Sequence, residues 1–218
     1  MKPQTILAGT WLMCLLTIST VKAQSIDTLF TAVPMPELPL LERNARLDML
    51  DLYNYKMAAK GENIFGGTST MTKKSAHHIA VDLTESSRWE MMRLCSGTDT
   101  IYACLHTTYC PAGETKASFY HTDWTPADDI ALPAFTLDDF WTGNSEIASE
   151  RQEELRRKLT PLYVEARWEE TEGTTPRIAF EVSTATLDCD SQQEAKKCLK
   201  TLYRTITTVQ KSTTAGTD

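Results

Sequence analysis

The sequence predicts an α+β protein, built on a twisted antiparallel β-sheet of about six or seven strands in two groups with helices packed on one face. Apolar residues recur every three or four positions in residues 40–57, which is the spacing of an amphipathic helix. Residues 79–124 instead hold successive runs in which apolar and polar residues alternate, joined by short turns. The second half of the chain then follows the order helix, strand, strand, helix, strand, so both halves combine helices with antiparallel strands.

The chain begins with a segment that has the parts of a signal peptide. Lys2 gives it a positive start, residues 6–18 form a short apolar centre, and Val21 and Ala23 supply small residues at positions −3 and −1. The apolar run is shorter than the roughly 20 residues that a membrane-spanning helix needs. We therefore expect cleavage after Ala23, export, and no integral membrane segment in the mature chain.

The next two segments are predicted to be a strap and a helix. Residues 24–39 form a Pro-rich N-terminal strap, because the prolines at positions 34, 36 and 39 forbid a regular helix there. This strap is either an ordered elbow or an exposed segment. The helix at residues 40–57 turns its apolar residues toward the sheet and most of its charged residues, Arg46 among them, toward other faces.

Seven segments of the chain have the alternation of β-strands. The predicted strands cover residues 79–83, 89–95, 100–108, 116–124, 162–169, 177–184 and 203–209. Short turns connect the first four strands, which indicates one antiparallel sheet. Residues 162–169 and 177–184 are predicted to pair as a hairpin.

Two helices are predicted in the second half from capping boxes, in which a serine is followed three residues later by Glu or Gln. Ser149 with Gln152 predicts a helix that ends near residue 159, and Ser191 with Glu194 predicts a helix from residue 192 to about residue 202. These elements complete a single α+β domain at residues 40–210, or two packed halves at 40–144 and 145–210. A disordered tail is expected at 211–218.

Composition limits the partners and the redox chemistry. The chain has 22 Lys and Arg against 29 Asp and Glu, a formal net charge of −7. Nucleic acids and anionic lipids demand Lys/Arg-rich faces, so neither is an expected partner. Five of the six cysteines remain after cleavage, and we expect buried free thiols rather than disulfide bridges. No CxxC, HExxH, GxGxxG, P-loop, GxSxG or EF-hand motif is present, and no cofactor is predicted.

One group of chemically active side chains stands out on neighbouring predicted strands. A hairpin centred near residues 112 and 113 places Cys104 opposite His121 in one register, and His106 shares the face of Cys104. Two histidines and a thiolate are zinc ligands, and a Cys–His pair is a nucleophile with its base. A register shift of one residue removes this arrangement, and strand histidines that simply face water are the alternative.

An acidic, aromatic connection at residues 124–144 is the predicted binding segment. Its candidate binding residues are Trp124, Asp128, Asp129, Phe135, Asp138, Asp139, Phe140 and Trp141. The aspartates are calcium ligands or an acid–base pair in one interpretation, and turn or helix-capping residues in the other. The aromatic residues line a groove or form the edge of the core.

Several short motifs resemble a known family. Residues 44–51 (NARLDMLD), the Gly66–Gly67 step, residues 83–87 (LTESS) and the Phe119–Tyr120 pair followed by Trp124 are similar to those of an uncharacterised family of exported Bacteroidales proteins, a domain of unknown function. The resemblance implies a periplasmic or outer-envelope location in a Gram-negative bacterium. It supplies no catalytic residues.

Three functions remain open on the sequence. The first is a non-catalytic envelope protein that binds another protein or a cell-surface polymer through one sheet face or through residues 124–141. The second is a hydrolase or metal-dependent enzyme that uses Cys104, His106 and His121 or the paired aspartates. The third is an inhibitor-like module that presents a hairpin loop, at residues 96–99 or 170–175, to an enzyme.

Overall fold

The computed structural model describes residues 24–96, 99–128, 130–170 and 175–205. The predicted signal peptide at 1–23 and tail at 211–218 lie outside these ranges. The described residues form five helices and nine strands. These are α1 (Ile26–Ala32), α2 (Arg43–Asn54), β1 (Lys60–Glu62), β2 (Thr68–Lys74), β3 (His78–Thr84), β4 (Ser87–Ser96), β5 (Asp99–Tyr109), β6 (Gly113–Tyr120), α3 (Leu137–Phe140), α4 (Ser149–Lys158), β7 (Val164–Glu169), β8 (Arg177–Val182), α5 (Cys189–Cys198) and β9 (Leu202–Thr205).

The strands form two antiparallel sheets. Strands β1 to β6 lie side by side in chain order in a large sheet, and β7, β8 and β9 form a small one. The α+β class with strands in two groups is thus confirmed. The prediction missed β1 and β2, because their residues are mostly Gly, Thr, Ser and Lys and carry little apolar alternation.

The N-terminal helices and the strap cover the first face of the large sheet. Leu29 and Phe30 of α1 and Leu38 of the strap are buried against that face together with Met49 of α2. The prolines do end regular structure at residue 34, but α1 precedes them as a helix that was not predicted. Its N-cap, Ser25, accepts a hydrogen bond from the backbone N–H of Thr28. The strap is therefore an ordered part of the core and not an exposed segment.

Arg46 corrects the predicted orientation of α2. Its side chain is 2 % exposed rather than on a solvent face. The guanidinium Nη1 donates to the backbone carbonyls of Phe30 at 3.0 Å and Val33 at 2.7 Å, where α1 ends. The Phe30 carbonyl also accepts from the Val33 N–H at 3.4 Å, so the cation adds a second donor there and completes the C-terminus of α1. Burial, followed by the nearby charge of Arg43, lowers the pKa of Arg46.

The small sheet covers the second face of the large sheet. Met92, Leu105 and Phe119 from the large sheet pack with Trp168 and Phe180 from the small one in a single cluster. This arrangement buries both faces of β3, where the sequence predicted one polar face: His78 and Ala80 are as inaccessible as Ile79 and Val81. Residues from before and after position 145 thus share one core.

Both predicted capping boxes are wrong, although both helices exist. Gln152 contacts the loop before α4, where its amide nitrogen donates to the carbonyls of Asn144 and Ile147, each at 2.7 Å. Helix α5 begins three residues earlier than predicted, because Asp188 is the N-cap and accepts from the Ser191 N–H at 2.9 Å. Glu194 pairs with Arg151 of α4 instead of reaching back to its own helix start.

The two edges of the large sheet differ. At the β6 edge, the chain folds back after Tyr120: the Ala127 N–H donates to the Phe119 carbonyl at 2.8 Å, and Tyr120 forms a β-bridge with Pro126. Near the start of β6, the Gly113 N–H donates to the Ser183 hydroxyl. Strand β1, at the other edge, has no strand on its outer side within the described residues.

Candidate functional site

The structure does not bring the three Cys/His candidates together. In the observed register Cys104 lies opposite Ser118 and His106 opposite Lys116. His121 follows the end of β6 and is exposed, so its predicted pairing with Cys104 is wrong. Among the described residues, no group of three or more His, Cys, Asp and Glu side chains has the arrangement of a metal site.

A carboxylate from the strap occupies the position beside Cys104 instead. Glu37 accepts hydrogen bonds from the Trp89 indole N–H at 3.0 Å and from the Tyr120 hydroxyl at 2.5 Å. The Cys104 thiol is its third donor. Because these donors belong to β4, β5 and β6, one side chain fastens the strap to three strands. No local pattern predicts this contact, which joins residues more than fifty positions apart.

The electrostatics of this cluster oppose thiol chemistry. Burial, with the negative charge of Glu37 and the hydrogen bond to it, raises the pKa of the Cys104 thiol well above its ordinary value. Burial and the same carboxylate raise the pKa of the Tyr120 phenol. Burial lowers the pKa of His106, and the charge of Glu37 opposes that shift. A nucleophilic cysteine needs the opposite, a depressed thiol pKa, so thiol and phenol serve here as neutral hydrogen-bond donors.

The four cysteines whose side chains the structure describes are expected to fall into two reactivity classes. We expect native-state alkylation at pH 8 to modify Cys110 and Cys189, which are exposed, and to leave Cys104 and Cys198, which are buried, at least about tenfold slower. Mass spectrometry with fragment sequencing locates each adduct, and alkylation in denaturant gives the full count. Fast modification of Cys104 in the folded protein would contradict the burial and the protonated state described here.

A buried ionic cluster lies on the second face of the large sheet. Glu90, 2 % exposed, has Oε2 3.0 Å from Nε2 of His78 and accepts from the backbone N–H of Trp168 at 3.2 Å. Nε of Arg88 lies 2.8 Å from Oε1 of Glu90 and forms an ion pair with it. The geometry of this contact is not that of a hydrogen bond. The cluster joins the two sheets where their faces meet. Protein encloses His78 and Glu90, which suits a structural role, whereas the Arg88 side chain reaches the surface.

The aromatic residues of the predicted binding segment are mainly anchors. Phe140 is completely buried, so it has no surface for a partner. Phe135 packs on Phe140 and Phe180, with ring centroids 5.4 and 4.7 Å apart. Trp124 lies over Tyr102 and Tyr120 at 5.1 and 5.5 Å. Trp141 is partly exposed, and the guanidinium of Arg156 lies 5.1 Å from its ring centroid.

Among the described acidic residues of the same segment, Asp139 has the helix-capping role. Asp139 accepts from the backbone N–H and the hydroxyl of Thr136, at 2.7 and 2.9 Å, at the start of α3. Asp138 pairs with Arg156 of α4. Asp128 is exposed, and Asp129 lies outside the described residues. Parts of both loops predicted for an inhibitor-like module, residues 97–98 and 171–174, lie outside them as well.

A surface that was not predicted is the best candidate for function. Six of the seven large apolar side chains that are exposed in the described residues lie between positions 35 and 65. Four of them flank β1: Tyr55 is 79 % exposed, Met57 61 %, Ile64 49 % and Phe65 80 %. We call these four residues the edge surface. Charged Lys60 and Glu62 lie between the two apolar pairs.

Defined backbone geometry holds both apolar pairs in place. After α2, Lys56 adopts a left-handed conformation with φ 59°, and the Met57 N–H donates to the Leu52 carbonyl at 2.9 Å. At the other end of β1, the Asn63 side-chain oxygen accepts from the N–H groups of Phe65 and Gly67, each at 3.0 Å. Gly66 has φ +75°, which a residue with a side chain rarely adopts. The exposed apolar residues are therefore presented by ordered turns.

Comparisons with known proteins agree on fold and give no activity. The family described as "Protein of unknown function (DUF3256)" matches residues 18–211. A solved domain of an uncharacterised protein from Porphyromonas gingivalis W83 is similar with a TM-score of 0.61 and 20 % identity, over 82 % of this chain and 92 % of that one. No curated protein matches the sequence. None of the helices in the described residues has the length and apolar character needed to cross a membrane.

Proposed function

Because the chain belongs to the DUF3256 family, whose description assigns no function, we propose a function from its surface: an exported envelope protein that binds another protein through the edge surface, without catalysis. Export is supported by the signal-peptide pattern of residues 1–23. The envelope location is supported by the resemblance to exported Bacteroidales proteins and by the likeness to the Porphyromonas domain.

The exposure of the edge surface is the observation that carries this proposal. Burying a large apolar side chain contributes roughly 1.5–3 kcal/mol, and this fold leaves four of them beside one strand in water. Clustered exposed apolar residues with polar neighbours mark interaction sites, and aromatic anchors such as Tyr55 and Phe65 are typical of protein interfaces. The ordered turns reduce the entropy lost on binding.

A protein suits this surface better than a polymer or a small substrate. The edge surface offers aliphatic and aromatic area together with the open backbone of an edge strand, which another polypeptide can pair with. Of the polar side chains that suggested chemistry in the sequence, Cys104 takes part in the Glu37 cluster and Asp139 caps α3. The helices and the strap cover the first face of the large sheet, and the small sheet covers the second face over β4 to β6. The β1 edge carries no such cover within the described residues.

Site-specific photo-crosslinking tests the proposal directly. With a photoreactive phenylalanine analogue at position 65 of the full-length protein in its native bacterium, we expect irradiation to give a discrete adduct with a protein. The matched control carries the analogue at Glu153, an exposed position on α4. Absence of an adduct at position 65, or the same adducts at both positions, would overturn the proposed binding surface.

A further inference from the structure

We propose that the protein bound at the edge surface is a second copy of this chain, paired β1 to β1 in antiparallel orientation across a twofold axis at Gly61. The inference rests on the proposed function and names its partner. Such an isologous contact would join two six-stranded sheets into one continuous sheet.

The backbone of β1 has the alternation that such pairing requires. On the inner side, the Met71 N–H donates to the Ala59 carbonyl at 2.9 Å, and the Asn63 N–H donates to the Gly67 carbonyl at 2.8 Å. In an antiparallel ladder successive residues direct their backbone groups to opposite sides. The Glu62 N–H and the Lys60 carbonyl consequently point to the open edge. Ile64 closes this stretch, because its N–H donates to the Leu40 carbonyl.

The side chains alternate in the same way. Ala58, Lys60, Glu62 and Ile64 are exposed, whereas Ala59 and Asn63 are buried. Gly61 lies against α2, where an added Cβ would be 3.0 Å from Met49 Cγ. One face of residues 58–64 therefore packs inward, and the other is available to a partner.

Pairing about Gly61 is self-complementary in charge. Lys60 lies opposite Glu62 of the second copy, and the symmetry repeats this ion pair. The Glu62 N–H of each copy faces the Lys60 carbonyl of the other, so two ladder hydrogen bonds form without breaking any existing one. Because the two strands run in opposite directions, Met57, which precedes β1 in one copy, lies toward the turn that carries Ile64 and Phe65 in the other.

Charge also selects this register over its neighbours. A pairing centred on Lys60 would place two lysines opposite each other, and one centred on Glu62 would place two glutamates together. Like charges directly opposite are destabilising. A shift by one residue would place an even-numbered residue opposite an odd-numbered one. The backbone N–H and C=O groups of the first point to the open edge and those of the second point to β2, so no ladder of hydrogen bonds can form.

Charge reversal provides the test, with sedimentation equilibrium of the mature chain, residues 24–218, as the readout. We expect wild type to be a dimer and both Lys60→Glu and Glu62→Lys to raise its dissociation constant at least about tenfold. Mixing the two variants restores opposite charges at both pairs, so the mixture is expected to dimerise. Lys197→Glu, an exposed charge reversal on α5 and outside the edge surface, is the matched control.

The outcomes separate this inference from the function on which it rests. A monomeric wild type, a dimer insensitive to both reversals, or a mixture that stays monomeric would overturn the β1 pairing. If position 65 still crosslinks to a different protein in that case, the binding function stands and only its partner is wrong. If position 65 gives no adduct, both proposals fall. At a protein concentration low enough for every protein to be monomeric, all variants should keep the wild-type melting temperature, since both side chains are exposed.

Discussion

Replacing Glu90 by leucine is expected to lower the free energy of unfolding by about 3–5 kcal/mol, because a buried carboxylate is lost and the polar groups that it binds are left buried without it. The change leaves His78 and the Trp168 N–H without their acceptor inside the protein. This is a large share of the 5–15 kcal/mol that stabilises a typical domain. Urea denaturation followed by tryptophan fluorescence measures the difference.

A double-mutant cycle of Glu90 and His78 tests whether the loss of stability comes from the partner that is left unpaired. His78→Leu alone is also expected to destabilise, and the variant with both leucines is expected to lose less than the two single losses combined, because neither partner remains as an isolated polar group. Glu85→Leu, in the exposed turn between β3 and β4, should change stability by less than about 0.5 kcal/mol. A Glu90 variant as stable as this control would refute a structural role for the cluster.

Arg46→Met is expected to lower the free energy of unfolding by about 3 kcal/mol, because two charged hydrogen bonds to the end of α1 are lost and their carbonyls stay buried. Methionine keeps much of the apolar stem, so the measured loss reports mainly on the guanidinium. In hydrogen-exchange measurements, the variant should exchange its α1 amides faster than wild type does, and α5 should show a smaller increase. Arg43→Met, on the exposed side of the same helix, should change neither stability nor exchange.

The elements that the sequence predicts correctly are those in which apolar residues recur at the spacing of a helix or a strand. The predicted hairpin of β7 and β8 is present, and Ala166, Trp168, Ile178 and Phe180 are buried in it, because one face of each strand is apolar. Helix α2 was predicted from its apolar spacing, with ends at Arg43 and Asn54 inside the predicted range. Local patterning determines these elements because each packs one face against the core.

The elements that were mispredicted depend on distant contacts. Arg46 is buried only because α1 ends beside it, and Cys104 meets Glu37 only because the strap folds over the sheet. Position 121 lies beyond β6 because the hairpin register begins at Tyr109 and Gly113, and no local pattern fixes that register. The edge surface was missed for a related reason: Tyr55, Met57, Ile64 and Phe65 become neighbours of one strand only once β1 joins the sheet.

The covered β6 edge sets a limit on assembly. A sheet that is open at both sides can add copies without end, as aggregating edge strands do. Here the turn at residues 125–127 occupies one end of β6 and Ser183 binds the other, so a strand cannot lie along that edge in register. Each large sheet can therefore join only one other sheet, through β1. A higher protein concentration increases the number of dimers and does not extend them into longer assemblies.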